Sequence, residues 1–187
     1  NHAKPVLLEG SISNKITAIA AVKDENLIIG TQSEGIYSFN LLDGKIDSIW
    51  NLPISIINDI QIVEPGNIII ACGNGIYRLN SKTNKINKIS DDITKSLIIN
   101  VKDGSVWYLS NNALNRISKK EGAKPELIPF REMDNYGKIT EIYFSNLGEL
   151  FIVSEEYLYT IPNPMHAPKI VLIKNIGFNQ FTCKDFW

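Results

Sequence analysis

Side chains able to carry out chemistry are thinly spread in this sequence. Adjacent acids occur at Asp24-Glu25, Asp91-Asp92 and Glu155-Glu156. A carboxyl pair runs glycoside hydrolysis only when one member is buried enough to keep its proton near neutrality. Neighbouring acids in turn-type contexts are solvated, so these pairs predict no hydrolase. The two histidines, His2 and His166, stand in a terminal segment and in the loop "NPMHAP". Neither has a clustered ligand nearby in sequence, and a metal centre needs several converging. Cys72 and Cys183 are flanked by apolar strand residues without CxxC spacing, which reads as free buried thiols. No G-x-S-x-G stretch or Ser/His/Asp set is present. The expectation is a chain without catalysis, cofactor or metal.

What remains is a scatter of amides and acids at turns: Gln32, Ser33 and Glu34, then Asn74, Asn111 and Asn112, Glu155 and Glu156, with Asn14, Asn58, Asn135 and Tyr136 in the longer links. Whether they act together depends on the elements that carry them. The phrase "GTQSEGIYSF" (30–39) returns as "ACGNGIYRLN" and, in worn form, as "NNALNRIS" and "EEYLYTIP". Its anchors Ile36, Ile76, Leu114 and Leu158 fall at intervals of 40, 38 and 44. That period belongs to propeller blades or to helical arrays.

The inside of one unit decides between them. "TAIAAV", "NLIIGT", "GIYSFN" and "KIDSIW" are runs of strand length, broken by "KDE", "QSE" and "LLDG". The second unit repeats the order with "NDIQIV", "NIIIAC", "GIYRLN" and "KINKIS", the third with "SLIINV", "SVWYLS", "ALNRIS" and "PELIPF", the fourth with "TEIYFS", "ELFIVS", "YLYTIP" and "KIVLIK". No 3.6-residue apolar stripe persists over ten positions. Sixteen strands in fours predict an all-β chain, a β-propeller segment of about four four-stranded antiparallel blades, roughly 16–53, 54–92, 93–130 and 137–175. The second strand of each unit is apolar on successive residues, as in sheets covered on both faces. The fourth opens on Lys45, Lys85 or Lys169 in three units, as suits an outer edge.

In 187 residues, 44% hydrophobic, there is enough apolar side chain for a substantial core. The net charge of -1 carries no electrostatic footprint for nucleic acid, and no apolar run has the length of a membrane span. Partial strands are expected at 4–10 and 177–187, making the chain a single segment of a larger propeller, or an arc whose ends pair with a second copy. If each open end bared roughly 500 Å² of apolar face, about 12 kcal/mol of burial would be forgone at each. Covering partners, whether further blades or another copy, are therefore expected.

In a propeller the loops between second and third strands share one rim with the links between blades. Gln32, Glu34, Asn74, Asn111, Asn112, Asn135, Tyr136, Glu155 and Glu156 are the residues this places at a candidate ligand site. Planar amides and carboxylates match vicinal hydroxyls, and an aromatic ring covers a sugar face. Asn is equally a turn residue, so both roles stay open for each of them.

The stretch "ITAIAAVKDENLIIGTQSEGIYSFNLLDGKI", followed by "PGNIIIACGNGIYRLN" and "KDGSVWYLSNNALNRIS", resembles the two-component regulator propeller repeat. The resemblance covers most of the chain and loosens between Ile139 and Ile161. It implies the periplasmic sensor region of a membrane-anchored hybrid histidine kinase that responds to oligosaccharides. The first unit, with "GTQSEGIYSFNLLDGKIDSIW", is also similar to the quinoprotein-like propeller repeat. That alternative implies a non-catalytic scaffold for protein partners.

Overall fold

The computed structural model describes residues 15–22, 26–50, 56–128, 137–164 and 171–175. Among them sixteen strands form four antiparallel four-stranded sheets, and there is no helix. The first sheet runs β1 (Ile16–Val22), β2 (Asn26–Thr31), β3 (Ile36–Asn40), β4 (Ile46–Trp50), and the second β5 (Ile57–Glu64), β6 (Asn67–Cys72), β7 (Gly75–Asn80), β8 (Lys85–Ser90). The third comprises β9 (Ile98–Ile99), β10 (Val106–Ser110), β11 (Ala113–Ile117) and β12 (Glu126–Leu127). The fourth comprises β13 (Ile139–Phe144), β14 (Leu150–Ser154), β15 (Tyr157–Ile161) and β16 (Val171–Asn175). Every sheet keeps its strands in chain order, because each connection is too short for anything but an antiparallel neighbour. These are propeller-like blades. The partial strands expected at 4–10 and 177–187 lie outside the described residues.

The chain divides into two compact units, residues 1–97 with 120–125, and residues 98–119 with 126–187. In the first, Ala18, Ile28, Ile36 and Trp50 of one sheet meet Ile57, Ile60, Ile68, Ile70, Cys72, Tyr77 and Leu79 of the next. Strand β5 packs on β1 and β2, and the fit is tight at Gly30, where a Cβ would stand 2.5 Å from Ile57 Cγ2. The indole of Trp50 donates to Asn84 Oδ1 at 3.1 Å, which lets a large ring be buried without an orphaned N–H. Cys72 is a buried free thiol whose pKa burial pushes up to about 12, leaving it inert.

The second unit repeats the plan. Trp107 and Leu114 pack against Ile139, Ile142, Phe144, Leu150, Ile152, Tyr159 and Ile161, with the Trp107 and Phe144 rings edge to face at 5.5 Å. Beneath Trp107 runs a polar chain. Its indole donates to Ser105 Oγ (2.8 Å), Ser105 donates to Asp103 Oδ1 (2.6 Å), and Arg116 donates to Asp103 Oδ2 (3.1 Å) and pairs with Glu126. Strands β9 and β12 are shorter than "SLIINV" and "PELIPF" suggest. Asn100 turns the chain early, its side chain accepting from Lys102 N, and Pro125 has no N–H to extend the ladder before Glu126.

Candidate functional site

At one end of each unit the second-to-third-strand hairpins meet the first residues of the inner strands. In the first unit Gln32 N donates to Lys15 O at 2.9 Å and Gly73 N to Ile56 O at 3.0 Å. In the second, Glu155 N donates to Lys138 O at 3.1 Å and Asn112 Oδ1 accepts from Ile139 N at 3.0 Å. The dipeptide Lys138-Ile139 thus ties the Asn111-Asn112 hairpin to the Glu155-Glu156 hairpin. Both asparagines hold positive φ, 51° and 58°, the backbone of a type I′ turn that Asn tolerates at little cost.

The expected rim residues separate into two kinds. Gln32, Asn111, Glu155 and Glu156 carry exposed side chains. Glu34 is committed locally: its N–H donates to Thr31 Oγ1 at 3.0 Å, and its carboxylate accepts from Tyr37 at 3.1 Å. Burial pushes the Tyr37 hydroxyl above its ordinary value, and the bond to anionic Glu34 pushes it further. Asn112 is exposed as well, with its Oδ1 engaged by Ile139 N. Asn74 is half-buried. Asn58 bonds the Thr94 carbonyl at 2.8 Å and so braces a link. Asn14, Asn135 and Tyr136 lie outside the described residues, as do Asp24, Glu25, His2, His166 and Cys183. Asp91 pairs with Lys88, and Asp92 Oδ2 accepts from Ser90 Oγ. Among the described residues no group of three or more His, Cys, Asp or Glu could hold a metal ion. What these hairpin ends offer, each within its own unit, is exposed amide or carboxylate groups fit for hydrogen bonding to a polar ligand.

A second feature was not expected from the sequence. At the opposite end of the second sheet, the β5–β6 turn, the β7–β8 turn and the segment 120–125 enclose a cleft of about 130 Å³. Its floor is Arg78, 5% exposed. An arginine within the strand pattern "GIYRLN" was the available signal.

Solved structures with this arrangement of strands include the extracellular domain assigned to the hybrid two component system BT4673 of B. thetaiotaomicron, at 18% identity and TM-score 0.62, covering 86% of this chain and 22% of that one. A catalytically inactive virginiamycin B lyase from Staphylococcus aureus is similar at 17% identity and TM-score 0.69, over 91% of this chain and 59% of that one. The computationally designed Ika4 protein matches at 13% identity and TM-score 0.62, over 92% of this chain and 100% of its own. The likeness at these identities is one of fold, and the chain spans about a quarter or less of the BT4673 extracellular domains it resembles. None of the curated proteins matches it in sequence. A family model does, from residue 7 to residue 165. The chain belongs to the family described as a domain of unknown function, DUF5074.

Proposed function

We propose that this chain is part of the extracytoplasmic, periplasmic sensor region of a membrane-anchored two-component protein. It binds a ligand without transforming it and passes occupancy to a histidine kinase. The observation carrying this reading is the shared hairpin end of the second unit, where Asn111, Glu155 and Glu156 stand exposed on hairpins locked to one dipeptide. The fold likeness to a hybrid two component extracellular domain supports it. The finer reading of the ligand is an oligosaccharide, whose vicinal hydroxyls suit amide and carboxylate partners. A ligand signals only by preferring one arrangement of the protein over another. Further blades or a second copy cover the outer sheet faces in this reading.

The test is a thermal-shift series against a panel of oligosaccharides, repeated with Asn111→Ala and with Glu155→Ala/Glu156→Ala. A rise in Tm that both variants abolish supports the proposal. Silence across the panel, or a rise that neither variant touches, overturns the carbohydrate rim. A protein-binding scaffold is the second reading. It is favoured by Val171, Leu172 and Ile173, consecutive residues of β16 that are 42%, 55% and 48% exposed.

A further inference from the structure

The cleft at the far end of the second sheet has a buried cationic floor and acidic walls. Arg78 Nη1 donates to the Lys120 carbonyl at 2.8 Å and to Asn67 Oδ1 at 3.4 Å, and Asn67 Nδ2 in turn reaches Glu64 Oε1 at 3.5 Å. The bond to Lys120 holds the segment 120–125 in place, and with it Glu121, which lines the cleft together with Glu64, Gly66 and Lys82. The floor and the backbone of the 120–125 wall are held in place, so what a ligand has to order is the exposed side chains of Glu64, Lys82 and Glu121. Gly66, at φ +90°, lets the β5–β6 turn close beneath the stem of Lys82, where a Cβ would meet Lys82 Cγ at 2.9 Å.

The charges choose the ligand class. Glu64 and Glu121 oppose Arg78 and Lys82, and the four sum to zero. A simple anion drawn to the arginine meets two carboxylates. A simple cation drawn to the carboxylates meets the arginine and the lysine. A molecule carrying both signs a few ångströms apart meets a partner for each. The volume is close to the roughly 150 Å³ of a cavity that holds one benzene, which suits about six non-hydrogen atoms. None of the lining residues is aromatic, so the cleft lacks the platform a sugar ring stacks on. We propose that this cleft, distinct from the hairpin rim and independent of its reading, binds a small zwitterion of the α-amino acid class, its carboxylate toward Arg78 and Lys82 and its ammonium between Glu64 and Glu121.

Isothermal titration of the 187-residue chain with L-alanine tests this, against propionate and ethylamine as the separated charges and glucose as the neutral polyol. Alanine binds in the millimolar range or tighter, at least tenfold better than either half or than glucose. Arg78 also anchors the 120–125 segment, so the informative variants are Glu121→Gln and Glu64→Gln, with urea midpoints checked for an unchanged fold. Each weakens alanine at least tenfold and brings propionate level with it, because the cleft has become net positive. Absence of alanine binding, equal binding of propionate or ethylamine by the unaltered chain, preference for glucose, or an unchanged alanine-to-propionate ratio in both variants overturns the proposal.

Discussion

Gly30 shows how little freedom a single position has between packed sheets. Its missing Cβ is the space into which Ile57 fits. Gly30→Ala is expected to destabilise by about 1–3 kcal/mol through overpacking, read from urea midpoints. Ile57→Ala removes the Cγ2 but keeps the Cβ at 2.8 Å, so the relief is partial and the double variant should lose somewhat less than the two single losses added together. Asp103 sets a pH dependence. Burial alone would raise its carboxyl, but the Ser105 hydroxyl and N–H and the Arg116 guanidinium outweigh it and hold the pKa below the ordinary value. The unfolded chain therefore binds this proton more tightly than the native one. The contribution is fully present above about pH 4 and is lost as pH falls through the native value. Asp103→Asn should flatten the acid limb of a stability-versus-pH curve while costing about 1–2 kcal/mol at neutrality.

Strand β5 holds more than its ladder. Asn58, Asp59 and Gln61 project onto the chain at 94–97: Asn58 bonds Thr94 O, Asp59 Oδ2 accepts from Leu97 N at 2.7 Å, and Gln61 donates to Leu97 O at 2.9 Å. The segment before β9 is thus fixed by side chains where the sheet supplies no partner. Asp59→Ala should cost about 1–3 kcal/mol and markedly speed hydrogen exchange at the Leu97 amide, with β6 amides little changed. The Asn111-Asn112 hairpin separates backbone from side chain. Asn112→Gly keeps the positive φ but loses the bond to Ile139 N, and is expected to cost about 1 kcal/mol. Asn112→Ala loses both and should cost more. The strands themselves were legible because short apolar runs and turn residues alternate without competition from a helical period. Blurred elements were β9 and β12, whose extents depend on Asn100 and Pro125 more than on hydrophobic pattern.

In the whole molecule, chain order and packing part company at residues 120–125, which belong with the first unit although β11 and β12 on either side belong with the second. A chain ending at residue 97 removes the carbonyl to which Arg78 donates, and should unfold in urea well below the midpoint of the full chain. What the sequence determined alone was the alternation of strand and turn, the fourfold grouping and the burial of the second strands, since each follows from local periodicity and from turn residues a few positions away. The rim was legible only as a set of turn positions. That Glu34 is spent on bonds within its own hairpin and the Asn112 Oδ1 on Ile139 N, 27 positions on, could not be read from them. Arg78 and Arg116 make the contrast sharpest, because they occupy equivalent places in "GIYRLN" and "ALNRIS". Arg116 is met by carboxylates of its own sheet, whereas Arg78 reaches a carbonyl 42 positions away and floors a cleft. Equivalent positions acquire different chemistry because the partner of a buried charge is chosen by which distant segment the fold lays against it, and only the tertiary structure carries that choice.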